Sequence, residues 1–192
     1  MTLHIPKMNG HTILVDAVQT KLGWLSFALT HLGLRRSTYM YDSEAEALIQ
    51  LQNQLACSPQ ESCKQTRQCE AILNTWKQHF VNRISGDAPP RTKVPIDDTD
   101  WTPFAKRVYG TLMKIPYGKT ITYGEIASAV GSPGAARAVG ALMKNNPIPP
   151  IVPCHRVTGA NGKLGGFSAN GGPPLKSILL QREGLDSNRF LH

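Results

Sequence analysis

Thr122-Tyr123-Gly124-Glu125-Ile126-Ala127-Ser128-Ala129-Val130 runs into Gly131-Ser132-Pro133-Gly134 and then into a second apolar and small-residue stretch over 135–144. The first segment predicts a short helix, the Gly-Ser-Pro-Gly break a turn, and residues 135–144 a second helix, which is helix-turn-helix spacing. On that second helix Ala135, Ala136, Ala138 and Gly140 are small and surround one long side chain, Arg137. A helix that reads base edges in the major groove displays Asn, Gln, Arg or Ser, whereas this surface offers close van der Waals approach. It fits a minor-groove or shape-reading contact with Arg137 projecting from it, the competing use of the alanines being packing against a core.

Upstream, Thr102-Pro103-Phe104-Ala105-Lys106-Arg107-Val108-Tyr109 carries a capping threonine, a proline at the first helical position and apolar residues at Phe104, Val108 and Leu112, so a helix begins there. Downstream, Pro147-Ile148-Pro149-Pro150-Ile151-Val152 lacks three backbone donors and predicts a stiff extended segment. That segment delivers Pro153-Cys154-His155-Arg156-Val157. A thiol held beside an imidazole is a candidate nucleophile with a candidate base, because the thiolate is the reactive form of cysteine. A small buried hydrophobe is the alternative use of Cys154.

The 192 residues, 41% hydrophobic and 18% charged, suffice for one large or two small packed domains. No apolar run approaches the roughly 20 residues that span a bilayer, and the first residues lack a charged region followed by a long apolar one, so neither membrane insertion nor export is expected. Four cysteines are too few to staple such a chain, which predicts free thiols in a reducing compartment. The net charge of +8 is uneven: from Trp101 to Arg182 there are ten Lys or Arg and a single acid, Glu125. That half attracts polyanions and is compatible with phosphate neutralisation along DNA or RNA.

The first half reads differently. Leu22-Gly23-Trp24-Leu25-Ser26-Phe27-Ala28-Leu29 and Gly33-Leu34-Arg35-Arg36-Ser37-Thr38-Tyr39-Met40 predict hairpin strands. Ser43-Glu44-Ala45-Glu46 caps a helix with Ala47, Leu48, Leu51 and Leu55 at helical spacing, and a second helix covers 69–82. The polar run Gly86-Asp87-Ala88-Pro89-Pro90-Arg91-Thr92-Lys93 is a linker, so the chain divides near residue 97.

Read in order, Tyr117-Gly118, Thr122-Tyr123-Gly124-Glu125-Ile126-Ala127, Ala135-Ala136-Arg137-Ala138-Val139-Gly140, Asn145-Asn146-Pro147, Pro153-Cys154-His155-Arg156-Val157, Gly165-Gly166-Phe167-Ser168 and Glu183-Gly184 form a pattern. It resembles the O6-alkylguanine-DNA alkyltransferases, most specifically at Pro-Cys-His-Arg-Val. The resemblance implies an α/β (α+β) chain, with a ribonuclease-H-like N-terminal domain over 1–96 and a winged-helix-like C-terminal domain with a helix-turn-helix over 97–192. It implies a monomer that repairs double-stranded DNA containing O6-alkylguanine by one-shot transfer of the alkyl group to Cys154, with no cofactor and no membrane. The corresponding location is the nucleus of a eukaryote or the cytoplasm of a bacterium.

The same resemblance assigns roles. His155 is the base acting on Cys154 through a water, Glu183 orients His155, Tyr123 donates to the guanine ring, and Asn146 helps hold the active-site loop and helix geometry. Val157, Phe167 and Ser168 form the base pocket, with Phe167 standing where relatives carry a tyrosine. Arg137 is the finger that fills the stack when the target base rotates out, beside Ala135, Ala136, Ala138, Gly140 and Tyr123, and Arg156 is a further DNA contact. The alternative is a non-catalytic alkylated-DNA-binding protein, against which the cysteine speaks. An alkylation-responsive regulator and a cysteine hydrolase are further rivals. Cys57, Cys63, Cys69, His4, His11, His31 and His79 are the possible metal ligands, but none shows Cys-x-x-Cys spacing, so no metal is expected.

Overall fold

The computed structural model describes residues 13–55, 67–85 and 94–186. These form two compact units divided between Asp98 and Thr99. The linker at 86–93 and the ligand candidates Cys57, Cys63, His4 and His11 lie outside the described residues.

The first unit is an antiparallel sheet of β1 (Leu14–Thr20), β2 (Gly23–Thr30) and β3 (Gly33–Ser37) in that order, with helices α1 (Glu44–Leu55) and α2 (Arg67–Ser85). Both hairpins turn on two residues, and in each the threonine before the turn, Thr20 or Thr30, accepts a hydrogen bond from the second turn residue through its hydroxyl. Gly33 has a φ of +142°, and a Cβ there would run into the carbonyl of Pro95. That close approach lets Leu34 pair with the segment leading out of the unit: Leu34 N–H donates to Pro95 O and Asp97 N–H to Leu34 O, both at 3.0 Å.

Successive side chains of a strand face opposite ways, and β2 is covered on both sides. Phe27 stacks on Phe80 of α2 at 5.2 Å between ring centroids, while the neighbouring Ser26 hydroxyl donates to the Ala47 carbonyl of α1 at 2.6 Å. This is why β2 reads as a nearly continuous apolar run instead of an alternation. Trp76, Phe27, Phe80, Leu25, Leu29 and Leu51 are its fully buried anchors.

The second unit begins with α3 (Pro103–Leu112), whose N-cap Thr102 accepts from Ala105 N–H at 3.2 Å. Its buried face is Ala105, Val108, Tyr109 and Leu112, so Phe104 sits at the margin, under the Arg107 guanidinium. The Tyr109 hydroxyl donates to Leu142 O at 3.0 Å and ties α3 to the helix-turn-helix. Within it, α4 (Tyr123–Ala129) starts in a capping box: Glu125 N–H donates to the Thr122 hydroxyl, and the Glu125 carboxylate accepts from Thr122 N–H. The turn leads to α5 (Ala136–Lys144), which buries Val139 and Met143 and leaves Arg137 and Ala138 exposed.

Two short strands then set the site. β4 (Ile121–Thr122) pairs in parallel with β5 (Val157–Thr158), in the register Ile121 to Val157 and Thr122 to Thr158. The start of α4 is thereby anchored next to the 3₁₀ turn Cys154–Arg156 that precedes β5. α6 (Gly172–Arg182) closes the unit. The architecture is a mixture of helices and sheets in both units, and among the described residues no helix is long and apolar enough to cross a membrane.

The 147–152 segment differs from the sequence expectation. It is a compact turn, not an extended rod: the Pro149–Pro150 peptide is cis, and Val152 N–H donates to Ile148 O at 3.0 Å. Prolines fix φ but leave the direction of the chain open, and here Asn146 decides it. Its amide oxygen accepts from Ile148 N–H at 3.1 Å while its nitrogen donates to Val152 O at 2.7 Å, so one side chain closes both ends of the turn.

Candidate active site

The turn closed by Asn146 delivers Cys154 into the unit interior, with only 6% of its surface exposed. The same Asn146 Nδ2 lies 3.2 Å from Cys154 Sγ, so an amide N–H is aimed at the sulfur. Cys154 forms part of the wall of a cavity of about 290 Å³ with Tyr123, Gly140, Met143, Phe167 and Ser168. Tyr123 and Gly140 also line a groove of about 420 Å³ that carries Ala136 and Arg137. The outward face of α5 and the cysteine cavity are thus joined through two shared residues.

Behind the cysteine lies a charged cluster. His155 Nε2 is 2.7 Å from Glu183 Oε1, with both side chains no more than 5% exposed. Arg156 donates through Nε to Glu183 Oε1 and Oε2 at 3.1 and 2.9 Å, through Nη2 to Oε1 at 2.9 Å, and through Nη1 to Ile115 O at 2.7 Å. Its guanidinium also lies over the Tyr117 ring. Gly118 N–H donates to Glu183 Oε2 at 3.1 Å. With a φ of +69°, and only 2.9 Å between a would-be Cβ and the Glu183 carbonyl, position 118 favours glycine.

The protonation states follow from these contacts. Burial pushes the Glu183 carboxyl upward, but the hydrogen bonds and charges of His155 and Arg156 overcome it and hold the group at about 2. Burial lowers the His155 imidazole below its ordinary value; the hydrogen bond and charge of Glu183 work against that shift, while Arg156 and Lys176 reinforce it. At neutral pH the ring is therefore neutral, donates from Nε2 to the ionised Glu183, and keeps its lone pair on Nδ1. Burial, then the charge of Cys154, raises the Tyr123 phenol, which stays protonated and able to donate.

Other sequence expectations are redistributed. Arg156, expected to contact DNA, is 5% exposed and saturated by Glu183 and Ile115, so its fork holds the interior together instead. Val157, whose backbone is expected at the base pocket, has its side chain fully buried in β5 and does not line the cavity. Phe167 and Ser168 do reach the wall, and the Ser168 hydroxyl donates to Lys144 O at 3.1 Å. Ala135, Ala136 and Gly140 are half-buried around the exposed Arg137. In the first unit Cys69 and His79 are buried and His31 is exposed, and no group of three metal-binding side chains occurs among the described residues.

Lys176 was not anticipated. It is fully buried on α6 and donates through Nζ to Val157 O and Leu164 O. The available signal was its spacing: Leu179 and Leu180 follow at three and four residues, which puts Lys176 on the apolar face.

Comparison with known proteins gives a family-model match within this unit and structural matches over most of the chain. The model of the 6-O-methylguanine DNA methyltransferase DNA-binding domain matches residues 103–185. The Mycobacterium tuberculosis protein named OGT, solved in complex with DNA, superposes with a TM-score of 0.64 and 30% identity, covering 92% of this chain and 94% of that one. The chain belongs to the O6-methylguanine DNA methyltransferase family. The M. tuberculosis O6-methylguanine methyltransferase, also at 30% identity and a TM-score of 0.64, matches over 90% of this chain and 93% of its own. A methylated-DNA–protein-cysteine methyltransferase of Methanosarcina acetivorans is 55% identical over 83 residues, 43% of this chain and 52% of the relative. The chain thus spans about half the length of the curated relatives it matches.

Proposed function

We propose that this family member repairs double-stranded DNA directly, moving the alkyl group of O6-alkylguanine onto Cys154 in a single turnover. The carrying observation is the convergence on one cavity wall of Cys154 and Tyr123, backed by His155 and Glu183 at 2.7 Å. In this reading the Cys154 thiol gives its proton, through a water, to His155 Nδ1, and Glu183 stabilises the imidazolium that forms. The sulfur attacks the alkyl carbon, the S–C bond forms as the C–O6 bond breaks, and the bonding pair leaves with the guanine. Tyr123 supplies a proton to the guanine ring and regains one from the relay through solvent. The net change is thiol plus alkylguanine to thioether plus guanine, and the thioether has no route back to the thiol.

A stacked guanine does not reach a buried sulfur, so the target nucleotide rotates into the cavity, and Arg137 takes its place in the stack. The small residues Ala135, Ala136, Ala138 and Gly140 let α5 approach a minor groove, and Phe167 and Ser168 contact the extruded base. One chain carries every group required, so a monomer suffices, and its place is with the genome, in a nucleus or a bacterial cytoplasm. The reading includes the family's ribonuclease-H-like fold for the first domain and a winged-helix-like fold for the second, with no cofactor or metal. The test is a single-turnover assay on duplex, single-stranded and free-base substrates: Arg137→Ala is expected to slow the duplex reaction selectively, and equal losses on all three would remove Arg137 from the flipping step.

A further inference from the structure

Lys176 is a buried cation that the relay does not use. Its two acceptors are the carbonyls of Val157 and Leu164, both neutral, and no carboxylate pairs with it among the described residues. Those carbonyls lie next in the chain to two parts of the cavity. Val157 directly follows the turn that holds Cys154, and Leu164 precedes the Gly166-Phe167-Ser168 wall. The chain between them is closed by Gly159 N–H to Lys163 O at 2.8 Å, so the ammonium fastens both ends of one loop.

A fully buried lysine is costly when its partners are neutral, and an apolar side chain of the same volume avoids the desolvation. The group whose charge opposes this cost is Cys154 in its thiolate form. The groups facing Cys154 and its relay are Tyr123 from α4, Lys144 from α5, Asn146 before the turn, His155 and Arg156 within it, and Lys176 and Glu183 from α6 and its end. Arg156 is neutralised by Glu183, and Lys144 on the cavity wall is solvent-exposed, which leaves Lys176 as the buried cation whose charge bears on the sulfur.

We propose that Lys176 is a positioning residue for the nucleophile: its ammonium fastens the cysteine turn to the cavity wall and sets a fixed positive charge that favours the Cys154 thiolate. This extends the alkyl-transfer reading and rests on it for the identity of the reaction. Burial lowers the Lys176 ammonium to about 8, and the charge of Cys154 opposes the shift.

The test follows the pH dependence of Cys154 carbamidomethylation by iodoacetamide, mapped to its peptide, in the full chain and in Lys176→Met, Lys176→Gln and Lys176→Arg. Methyl uptake from an O6-methylguanine duplex is measured in parallel. Loss of the charge in Met and Gln is expected to raise the thiol pKa by about one unit and to cut thiolate reactivity at pH 7 about tenfold, methyl uptake falling in step, while Arg keeps the wild-type pKa. Gln retains a donor for the carbonyls and serves if Met does not fold. A folded Met or Gln variant with the wild-type thiol pKa overturns the proposal. Failure of the wild-type chain to take up methyl removes the alkyl-transfer reading instead, and the thiol comparison still decides the role of Lys176.

Discussion

The two units bury polar groups to different ends. In the first, the Ser26 and Thr38 hydroxyls meet at 3.0 Å, Ser26 reaches Ala47 O, and Asp97 accepts from Thr30 and from Arg35. Each contact fastens one piece of backbone to another, and the fold is the result. In the second, the cavity is lined by Cys154 and backed by His155 and Arg156, which share the Glu183 carboxylate, and by Lys176 on two backbone carbonyls. A fold closed by separate small polar clusters, one at Ser26 and one at Asp97, tolerates the loss of either locally. A core built on a shared carboxylate does not, because removing that carboxylate strands every partner at once.

That difference is open to direct attack. Glu183→Gln leaves Arg156 buried without a counter-charge and His155 without its orienting anion. It should slow alkyl transfer by about 100-fold or more in single-turnover assays and lower stability by about 3–5 kcal/mol in urea unfolding. Phe80→Ala in the first unit should cost about 3–5 kcal/mol through the cavity it leaves, while the transfer rate of the folded protein stays unchanged. A comparable loss of rate would mean that the units do not divide structure from chemistry as argued.

Acid should separate the units by pH. Burial, with the charge of Arg83, lowers His79 to about 4, so its contribution to the first unit is full above 6.5 and fades as pH falls through about 4. Glu183 is held at about 2, so its contribution is full above 4.5 and fades as pH falls through about 2. Hydrogen exchange followed down the pH scale should show protection lost first around α2 and last around the Glu183 cluster, and the reverse order would break the comparison. The smallest effect expected is at the start of α4: Thr122→Ala removes a capping hydroxyl and should cost about 1 kcal/mol by thermal unfolding, with little change in transfer rate.

Much of the site was legible in the sequence because local rules govern it. Thr102-Pro103 and Thr122 with Glu125 are caps that work within one turn, and both helices start where those signals stand. Both hairpins follow from their glycines and short turns. What was not legible depends on non-local partners. Arg156 looks like any surface cation until Glu183, 27 residues later, is folded against it. Lys176 looks solvated until the carbonyls of Val157 and Leu164 are brought to its ammonium. The proline run reads as extended because three missing donors describe what a segment does not do, whereas the Asn146 side chain sets where it goes.

The alkyl-transfer account stands or falls on Cys154, and intact mass spectrometry after mixing with a duplex containing one O6-methylguanine tests it most directly. The expected result is the gain of one methyl group, mapped to the Cys154 peptide and absent from Cys154→Ala. Tight binding to the methylated duplex with no change in mass, or a methyl group mapped to another residue, would contradict it.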